Sequence, residues 1–292
     1  MHEKLLPNFS RLTTLHLGGR ARMLLVAENS EDVTALSGRM QELGLKPLAL
    51  GNGSNILARD GDHDLALVRL DLPERMEILG REGCETFVRV SAQVKLPHFL
   101  RFLCEHALTG LEGLAGIPGT VGGAIAMNAG SFGSEMCRYL RSVTVYTGGS
   151  IQVLESSALS YGYRHFAFAG SQDFFLILEA ELAFESGTVD AIHRLMNTHF
   201  LAKKASQPIT LASAGCLFKN PPAGPAAGKL LEEAGFKGRE LGGVAFSDLH
   251  ANFLVNKGNG TASQALELME LAREAVQARS GIRLEPEVRI VP

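Results

Sequence analysis

The chain has 292 residues, which is long for a single hydrophobic core, so we expect two or three subdomains. Its apolar content of 46% and charged content of 20% are ordinary for a globular protein. The formal net charge of −3 shows no basic excess, which argues against nucleic acid or an anionic membrane as the main partner. No apolar run approaches the ~20 residues of a membrane-spanning helix, and residues 1–7 lack the apolar centre of a signal peptide. Composition therefore predicts a cytoplasmic protein.

The cysteines and histidines form no ligand set. None of the cysteines stands in a Cys-x-x-Cys pair, which is the pattern expected of reduced thiols in the cytosol. His193 and His199 share a predicted helix, but no carboxylate or cysteine completes a metal site with them, so we interpret them as ordinary helix histidines. The sequence therefore predicts no metal ion.

The first third of the chain reads as strand, helix and strand. Residues 22–27 predict a buried strand, Ser30 is predicted to cap a helix that Gly44 ends, and residues 47–50 predict a second, parallel strand. That strand runs into the turn at 51–55, Gly-Asn-Gly-Ser-Asn, and ligands bind at the carboxyl ends of strands in such units. A plain tight turn needs only one Asn-Gly, so we favour a phosphate contact over a purely structural turn.

The rest of the chain mixes helices and strands. A helix is predicted to begin at Pro97 and to end at Gly110. A later helix covers 189 to about 201 with Ile192, Leu195, Met196 and His199 near one face, and the last long helix covers 262–280. Strands are predicted at residues 65–70, 87–91, 143–146, 151–154 and 174–184. The strands 143–146 and 151–154 flank a Thr-Gly-Gly-Ser turn and are predicted to form a hairpin.

Lys203 and Lys204 follow the predicted helix 189–201. Cations suit the negative end of a helix dipole, and two adjacent ammonium groups also suit a diphosphate substrate. Both interpretations stand equally on the sequence.

The stretch at 114–130, Leu-Ala-Gly-Ile-Pro-Gly-Thr-Val-Gly-Gly-Ala-Ile-Ala-Met-Asn-Ala-Gly, organises the chain. Glycine lets a ligand approach the backbone closely, so such a run predicts that backbone N–H groups bind an anion. The alternative is a tightly packed, buried turn. The stretch matches neither the dinucleotide fingerprint nor the Walker loop, which favours a phosphate-bearing cofactor bound in another way.

Four further segments hold polar residues in apolar, glycine-rich surroundings, and each segment alone is only weak evidence of a function. Arg164 alone predicts no more than an ion pair, and Cys216 between Gly215 and Leu217 is compatible with a small core residue. Glu285 and Glu287 would share one face of a strand. The segments are Tyr161-Gly-Tyr-Arg-His165, Ser213-Ala-Gly-Cys-Leu-Phe-Lys-Asn-Pro221, His250-Ala-Asn-Phe253 and Leu284-Glu-Pro-Glu-Val-Arg289.

Taken together and in this order, the two glycine-rich segments, Asn128-Ala-Gly130 and these four segments resemble the UDP-N-acetylenolpyruvoylglucosamine reductase family. The resemblance runs from about residue 12 to 291, and its ordered set of motifs is specific. It implies an α+β chain with an FAD-binding fold of the vanillyl-alcohol-oxidase/PCMH type in two subdomains and a smaller α+β substrate-binding domain. The span between Arg164 and Ser213 is short, so in this respect the chain resembles the branch of the family that lacks an extra substrate-covering insert.

The resemblance also implies domain limits and partners. FAD-binding subdomain 1 would cover 1–70 with the strand 284–292 nearby, subdomain 2 would cover 71–202, and the substrate-binding domain 203–292. The implied cofactor is non-covalent FAD, with NADPH as hydride donor. The implied partner is a small UDP-sugar, without nucleic acid, membrane or an obligate protein partner.

Carried over by position, the resemblance gives Arg164, Cys216 and Glu287 as catalytic residues. Many members have serine at the position of Cys216, and serine often stands where this chain has Phe166. Substrate contacts would be Tyr163, Lys204, Asn220 and His250. FAD contacts would be Gly51, Asn52, Gly53, Ser54, Asn55, Gly116, Ile117, Pro118, Gly119, Thr120, Gly122, Gly123, Ala124 and Asn128.

The chemistry explains these residue types. An enol ether that bears a carboxylate accepts hydride only if the charge that spreads into the carboxylate is stabilised. Arg164 can hold that carboxylate with its planar fork, and Glu287 can share a hydrogen bond there. Cys216 would then protonate the neighbouring carbon.

Two other functions compete with this prediction. Another flavoenzyme of the same fold, acting on a hydroxy acid or sugar, would be favoured by a histidine- or cysteine-linked flavin, but the glycine-rich loop contains neither residue. A non-enzymatic protein that binds a nucleotide sugar is the second alternative, and it predicts colourless protein.

Overall fold

The structure, a computed structural model, describes residues 1–171 and 174–292. In these ranges the helices are α1 (Phe9–Leu12), α2 (Ser30–Leu43), α3 (Leu96–Glu105), α4 (Val121–Ala126), α5 (Val189–Ser206), α6 (Ala227–Glu233) and α7 (Ala262–Ser280). The strands are β1 (His2–Leu5), β2 (Arg20–Ala27), β3 (Lys46–Ala49), β4 (Ile56–Ala58), β5 (Asp62–Leu70), β6 (Met76–Glu82), β7 (Glu85–Ser91), β8 (Leu108–Thr109), β9 (Gly130–Ser131), β10 (Ser134–Glu135), β11 (Leu140–Thr147), β12 (Ser150–Glu155), β13 (Leu159–Gly162), β14 (His165–Phe168), β15 (Phe175–Ser186), β16 (Ala212–Cys216), β17 (Glu240–Leu241), β18 (Val244–Phe246), β19 (Phe253–Asn256) and β20 (Arg289–Val291).

The chain divides into two compact units. Unit 1 comprises Met1–Leu5, Met23–Asn52 and Asp64–Leu201, and unit 2 comprises Leu6–Arg22, Gly53–His63 and Ala202–Pro292. The finer division into two FAD-binding subdomains and a substrate domain stays a prediction. Among the described residues, no helix combines the length and the apolar character needed to span a bilayer.

The described strands of unit 1 form two main sheets and two two-stranded sheets, β9–β10 and β13–β14. The larger sheet has the order β12-β11-β15-β7-β6, with β8 pairing with β15, and its core includes Val88, Phe99 and Leu182. The predicted hairpin is confirmed, because β11 and β12 pair with Thr147 opposite Ser150. The smaller sheet has the order β1-β2-β5-β3, and α2 packs on it through Val33 and Leu36.

The strand–helix–strand prediction is confirmed in its elements but not in its pairing. β3 pairs in parallel with β5, which lies between β2 and β3 in the sheet. The helix cap is Asn29 rather than Ser30, because the Asn29 side chain accepts a hydrogen bond from the Asp32 N–H at 2.9 Å. Gly44 ends α2 in the left-handed conformation, as predicted.

Two predicted helix ends were wrong. α3 ends at Glu105 rather than near Gly110, because the chain turns at Ala107 to add β8 to the larger sheet. α5 continues past residue 201 to Ser206, so both lysines lie inside the helix. Leu195 is 44% exposed and does not face the core.

Unit 2 has a second core around α7. The sheet β16-β19-β18-β17 and the parallel pair β20-β4 carry the strands of this unit, and α7 buries Leu268, Ala272 and Val276 against them. The predicted limits of α7 are confirmed, and Thr261 and Gln264 form a capping box at its start. The C-terminal strand begins at Arg289, so Glu285 and Glu287 precede it rather than lying within it.

Candidate functional site

The glycine-rich loop ends as the cap of α4, and several of its N–H groups already have acceptors. Val121 N–H donates to the carbonyl of Val94, and Gly122 N–H to that of Ala92 at 2.8 Å. Gly123 N–H donates to the Thr120 side chain. Within residues 1–171 and 174–292, the N–H groups of Gly119 and Thr120 find no acceptor. The unused N–H groups of this loop therefore precede the helix rather than form its first turn.

Gly122 and Gly123 have different surroundings. A Cβ on Gly122 would lie 2.7 Å from the Ala92 Cβ, so this glycine is required for packing against β7. A Cβ on Gly123 would meet only the Thr120 Oγ1, at 3.4 Å, and beyond that atom it faces open space. The surroundings of Gly122 are those expected of a buried turn. Gly123 instead faces open space, in which a ligand could lie.

The turn at 51–55 begins in unit 1, against the same loop. A Cβ on Gly51 would lie 2.8 Å from the Thr120 Oγ1, so the two glycine-rich segments touch. The Asn52 Oδ1 accepts a hydrogen bond from the Lys95 Nζ at 2.7 Å. In the part of the chain that the structure describes, the N–H groups of Gly51 and Asn52 have no acceptor. Unit 1 therefore gathers one cation and four unused N–H groups from residues 51, 52, 119 and 120.

The last residues of the turn belong to unit 2. Gly53 has φ +65°, and a Cβ there would lie 2.3 Å from the Leu12 carbonyl oxygen, so only glycine fits. The Asn55 Nδ2 donates to the Glu287 carbonyl at 3.2 Å, and the Asn55 carbonyl accepts from the Arg289 N–H at 3.0 Å. Asn55 therefore fixes the backbone on both sides of Val288.

Asn128 has a structural role inside unit 1. It is 1% exposed, and its Nδ2 donates to the Gly162 carbonyl at 2.9 Å while its Oδ1 accepts from the Cys137 N–H at 3.0 Å. The two ends of the amide thus join the end of α4 to β13 and to the segment between β10 and β11. Gly116, Ile117 and Pro118 lie at the partly exposed surface of the loop, while Ala124 is buried in the core.

Arg164 stands on the two-residue turn between β13 and β14. Its φ of +54° is unusual for a long side chain, and the turn folds because Gly162 and His165 pair across it. The Arg164 guanidinium lies over the Tyr163 ring and donates to the Gly130 carbonyl at 3.2 Å. Phe166, where many members have serine, packs in the core instead, with its ring 7% exposed.

Cys216 and Glu287 come together in unit 2. Gly215, with φ +76°, makes a bulge in β16 just before Cys216, which pairs with Phe253 of β19. The carbonyl of the next residue, Leu217, accepts a hydrogen bond from the Glu287 N–H at 2.8 Å. Backbone bonds therefore keep the thiol-bearing strand beside the carboxylate-bearing segment.

Asn252 stabilises this arrangement, and the sequence prediction missed it. Its Oδ1 accepts from the Phe218 N–H at 3.0 Å, its Nδ2 donates to the Phe218 carbonyl at 2.7 Å, and its own carbonyl accepts from the Leu217 N–H. The side chain is 2% exposed. An asparagine between alanine and phenylalanine, directly before the apolar strand β19, was the available signal.

The predicted substrate contacts differ in their surroundings. Lys204 and Tyr163 are exposed, whereas Lys203 is 2% exposed and its burial lowers its pKa to about 8. The Asn220 Oδ1 accepts from the Ala227 N–H at 3.0 Å, at the start of α6. These contacts leave the exposed Lys204, rather than Lys203, able to reach a ligand.

His250 is a neutral hydrogen-bond donor in this setting. Burial, and to a lesser degree the charge of Lys237, lowers the pKa of His250 below its ordinary value. The Nδ1 accepts from the Asn252 N–H at 3.2 Å, so the proton of the neutral ring lies on Nε2.

The comparisons with known proteins agree along the whole chain. Residues 21–154 match the model of an FAD binding domain, and residues 207–291 match that of the UDP-N-acetylenolpyruvoylglucosamine reductase C-terminal domain. A reductase of this name from Nitratidesulfovibrio vulgaris is 44% identical over 98% of this chain and 97% of its own length. The chain belongs to the UDP-N-acetylenolpyruvoylglucosamine reductase family.

Further relatives extend the same likeness. The reductase from Pelobacter propionicus is 36% identical over 97% of this chain and 93% of its own length. The crystal structure of the reductase from Thermus caldophilus is similar with a TM-score of 0.81 and 33% identity, covering 100% of this chain and 98% of that one. The predicted α+β FAD-binding fold and the predicted family are therefore confirmed.

The residues of unit 1 fit an FAD diphosphate. The N–H groups of Gly51, Asn52, Gly119 and Thr120 lack acceptors within the described residues, and Lys95 adds a positive charge next to them. Gly123 leaves open space at the start of α4. Unused N–H groups with a nearby cation are what a bound phosphate requires.

Proposed function

We propose that the chain reduces UDP-N-acetyl-3-O-(1-carboxyvinyl)-glucosamine to UDP-N-acetylmuramate, a precursor of peptidoglycan. The similarity to the reductases over 98% of the chain supports this activity. The observation in the structure that supports it is the backbone bond between Leu217 and Glu287, which joins the residue after Cys216 to the backbone of Glu287. Non-covalently bound FAD supplies the hydride, which NADPH provides to it.

The chain's own residues divide the remaining work. Hydride adds to the terminal carbon of the enolpyruvyl double bond, and the electron pair moves toward the attached carboxylate. We assign Arg164 to hold that carboxylate and stabilise the charge with its guanidinium. We assign Glu287 to a hydrogen bond with the same group or with Arg164, and Cys216 to donate a proton to the neighbouring carbon. The thiolate then regains its proton from solvent.

The binding of FAD and of the nucleotide sugar rests on other residues. Gly51, Asn52, Gly119 and Thr120 would hold the FAD diphosphate through their N–H groups, and Gly53 allows the turn to form. Lys204, Tyr163, Asn220 and His250 stay proposed contacts of the UDP-sugar. Since His250 is neutral with a proton on Nε2, it would act as a hydrogen-bond donor rather than as a charge.

We place the reaction in the cytoplasm. Among the described residues, all four cysteines are free, and two of them, Cys104 and Cys137, are buried. Free thiols are the rule where glutathione keeps cysteines reduced.

A two-step colour experiment tests the function. Purified protein should be yellow, should bleach with NADPH in the absence of oxygen, and should regain its colour when the enolpyruvyl sugar nucleotide is added. Omission of the sugar nucleotide is the control, and the protein should then stay bleached. Colourless protein without flavin would indicate a binding protein, and rapid oxygen consumption by the reduced protein would indicate an oxidase.

A further inference from the structure

Lys95 breaks the local rule for a helix start. It stands at the cap position of α3, where Ser, Thr, Asp or Asn stabilise a helix and where a cation meets the positive end of the helix dipole. Its side chain makes no capping hydrogen bond. Within the described residues, no carboxylate lies within 4.0 Å of its ammonium group. The position of this charge is therefore not explained by the stability of α3.

The backbone of Lys95 is joined to the glycine-rich loop. Lys95 and Thr120 face each other in an isolated antiparallel bridge, and the Leu96 N–H donates to the Gly119 carbonyl at 3.0 Å. The start of α3 and the loop therefore form one piece of backbone. This places the lysine next to the two N–H groups of the loop that lack acceptors.

The side chain of Lys95 reaches the second glycine-rich turn. Its Nζ donates to the Asn52 Oδ1 at 2.7 Å, and Gly51 touches Thr120. An ammonium group has three donors, so two of them are available beyond the bond to Asn52. One cation thus lies between two backbone segments whose N–H groups have no acceptor. A group that is locally unfavourable and yet built into such a place is expected to serve a ligand.

We propose that Lys95 is the counter-charge of the FAD diphosphate, binding it through direct hydrogen bonds while Asn52 fixes the side chain. This inference rests on the proposed function, because it takes FAD as the ligand of unit 1. The two negative charges of the diphosphate would compensate the unpaired ammonium and the positive end of α3. Lys95 is solvent-exposed in the structure, so its contribution should be sensitive to salt.

The release of FAD from the full-length protein tests this role. Flavin fluorescence on dilution gives the Kd at several salt concentrations, for wild type, Lys95→Met, Lys95→Arg and the control Lys46→Met. Lys46 begins β3 and lies about five extended residues, or roughly 16 Å, from the turn. The control substitution therefore removes the same charge from the same unit at a distance from the turn. Competition with ADP and with riboflavin shows which part of FAD is affected.

We expect Lys95→Met to raise the Kd of FAD about ten-fold at low salt, and the difference should shrink toward 1 M salt because exposed charges are screened. The binding of ADP should weaken in parallel, and the binding of riboflavin should not. Lys95→Arg should stay within about two-fold of wild type, and Lys46→Met should be unchanged. Melting temperatures check that all variants are folded.

Three results would overturn the role of Lys95. The first is an unchanged Kd of FAD in Lys95→Met, and the second is a Kd that rises as much in Lys95→Arg as in Lys95→Met. The third is a parallel loss of riboflavin binding. Each of these would show that the residue only shapes the turn. These outcomes differ from a failure of the proposed function, in which wild-type protein itself would hold no FAD or would not be reoxidised by the sugar nucleotide.

Discussion

Arg164 and the pair Cys216–Glu287 are positioned by different parts of the molecule. In unit 1 the guanidinium of Arg164 reaches the Gly130 carbonyl from an exposed two-residue turn. In unit 2 Cys216 and Glu287 are positioned by backbone hydrogen bonds that meet at Leu217 and are covered by the buried Asn252. The comparison teaches that the first position should tolerate substitution without loss of fold, whereas the second is part of the core.

The largest effect is expected when the buried Asn252 of unit 2 loses its side chain. Asn252→Ala leaves the N–H and the carbonyl of the fully buried Phe218 without their partners, and each unsatisfied group costs about 1–3 kcal/mol. We expect the free energy of unfolding, measured by urea denaturation, to fall by about 3 kcal/mol. The control is Asn197→Ala on the exposed face of α5, which should leave it unchanged. Equal stability of wild type and Asn252→Ala would show that the backbone bonds alone hold the pair.

Arg164→Lys tests the exposed side of the comparison. The variant keeps the charge but loses the planar fork, so reduction of the flavin by NADPH should survive while reoxidation by the enolpyruvyl substrate slows. A loss of about 3 kcal/mol in transition-state stabilisation, roughly 100-fold in rate, is the scale of one removed donor to a developing oxyanion. Stopped-flow absorbance of each half-reaction measures this, with urea denaturation expected to be unchanged.

The control for this variant is Arg101→Lys on the exposed side of α3, which should leave both half-reactions intact. If both half-reactions fell equally in Arg164→Lys, the arginine would hold the cofactor or the fold rather than the substrate carboxylate.

The same two regions show what could be predicted from the sequence. The elements and the loops follow from local patterns, so α7 and the hairpin β11–β12 were predicted with their correct type and position. The roles inside the loops depend on contacts across long separations. The FAD contact of Asn128 stays a prediction, and the bonds of its amide to Gly162 and Cys137 could not be foreseen; Asn252 was missed because its partner Phe218 lies 34 residues away.

Helix ends show a similar limit. The sequence around Gly110 predicts a stop, yet α3 ends earlier because β15 offers a place for β8 in the sheet. Lys203 and Lys204 were predicted at the end of the helix and lie in the last turn of α5, but only the structure distinguishes the buried Lys203 from the exposed Lys204. Tertiary pairing and burial decide these points, and neither is encoded within a few residues.

Variants of Cys216 test whether its thiol in unit 2 acts as a proton donor. Cys216→Ser keeps a proton donor of nearly the same size, so we expect substantial activity together with resistance to peroxide. Cys216→Ala should still pass hydride from the flavin to the enolpyruvyl substrate but stall before the neighbouring carbon is protonated, so that single-turnover flavin reoxidation proceeds without matching product. Product analysis after one turnover measures this.

The control for peroxide is Cys84→Ser, which removes an exposed thiol elsewhere and should give no protection. Turnover of Cys216→Ala at the wild-type rate would mean that the thiol only fills space and that the proton comes from water.

The smallest effect is expected at Asp60, which holds unit 2 together away from the catalytic pair. Its carboxylate accepts hydrogen bonds from the N–H groups of Ala262 and Ser263 and from the Ser263 hydroxyl, at the start of α7. Burial alone would raise the pKa of Asp60, but the hydrogen bonds from Ser263 and Ala262 outweigh it and keep the pKa below its ordinary value of 3.8. The charged form is therefore favoured in the folded protein.

Asp60→Asn should lower the free energy of unfolding by about 1 kcal/mol at pH 7, the usual worth of a helix cap. Because the folded pKa is the lower one, this contribution is complete above the unfolded pKa and disappears as the pH falls through the folded pKa. Urea denaturation of both proteins between pH 7 and pH 3 should therefore show the difference shrink toward acid, while Glu267→Gln on the exposed face of α7 shows none. The half-reactions of Asp60→Asn should stay at wild-type rates, since Asn252 and Leu217 still hold Cys216 and Glu287. A slowed reoxidation by the enolpyruvyl substrate in Asp60→Asn would mean that the start of α7 also positions the catalytic pair.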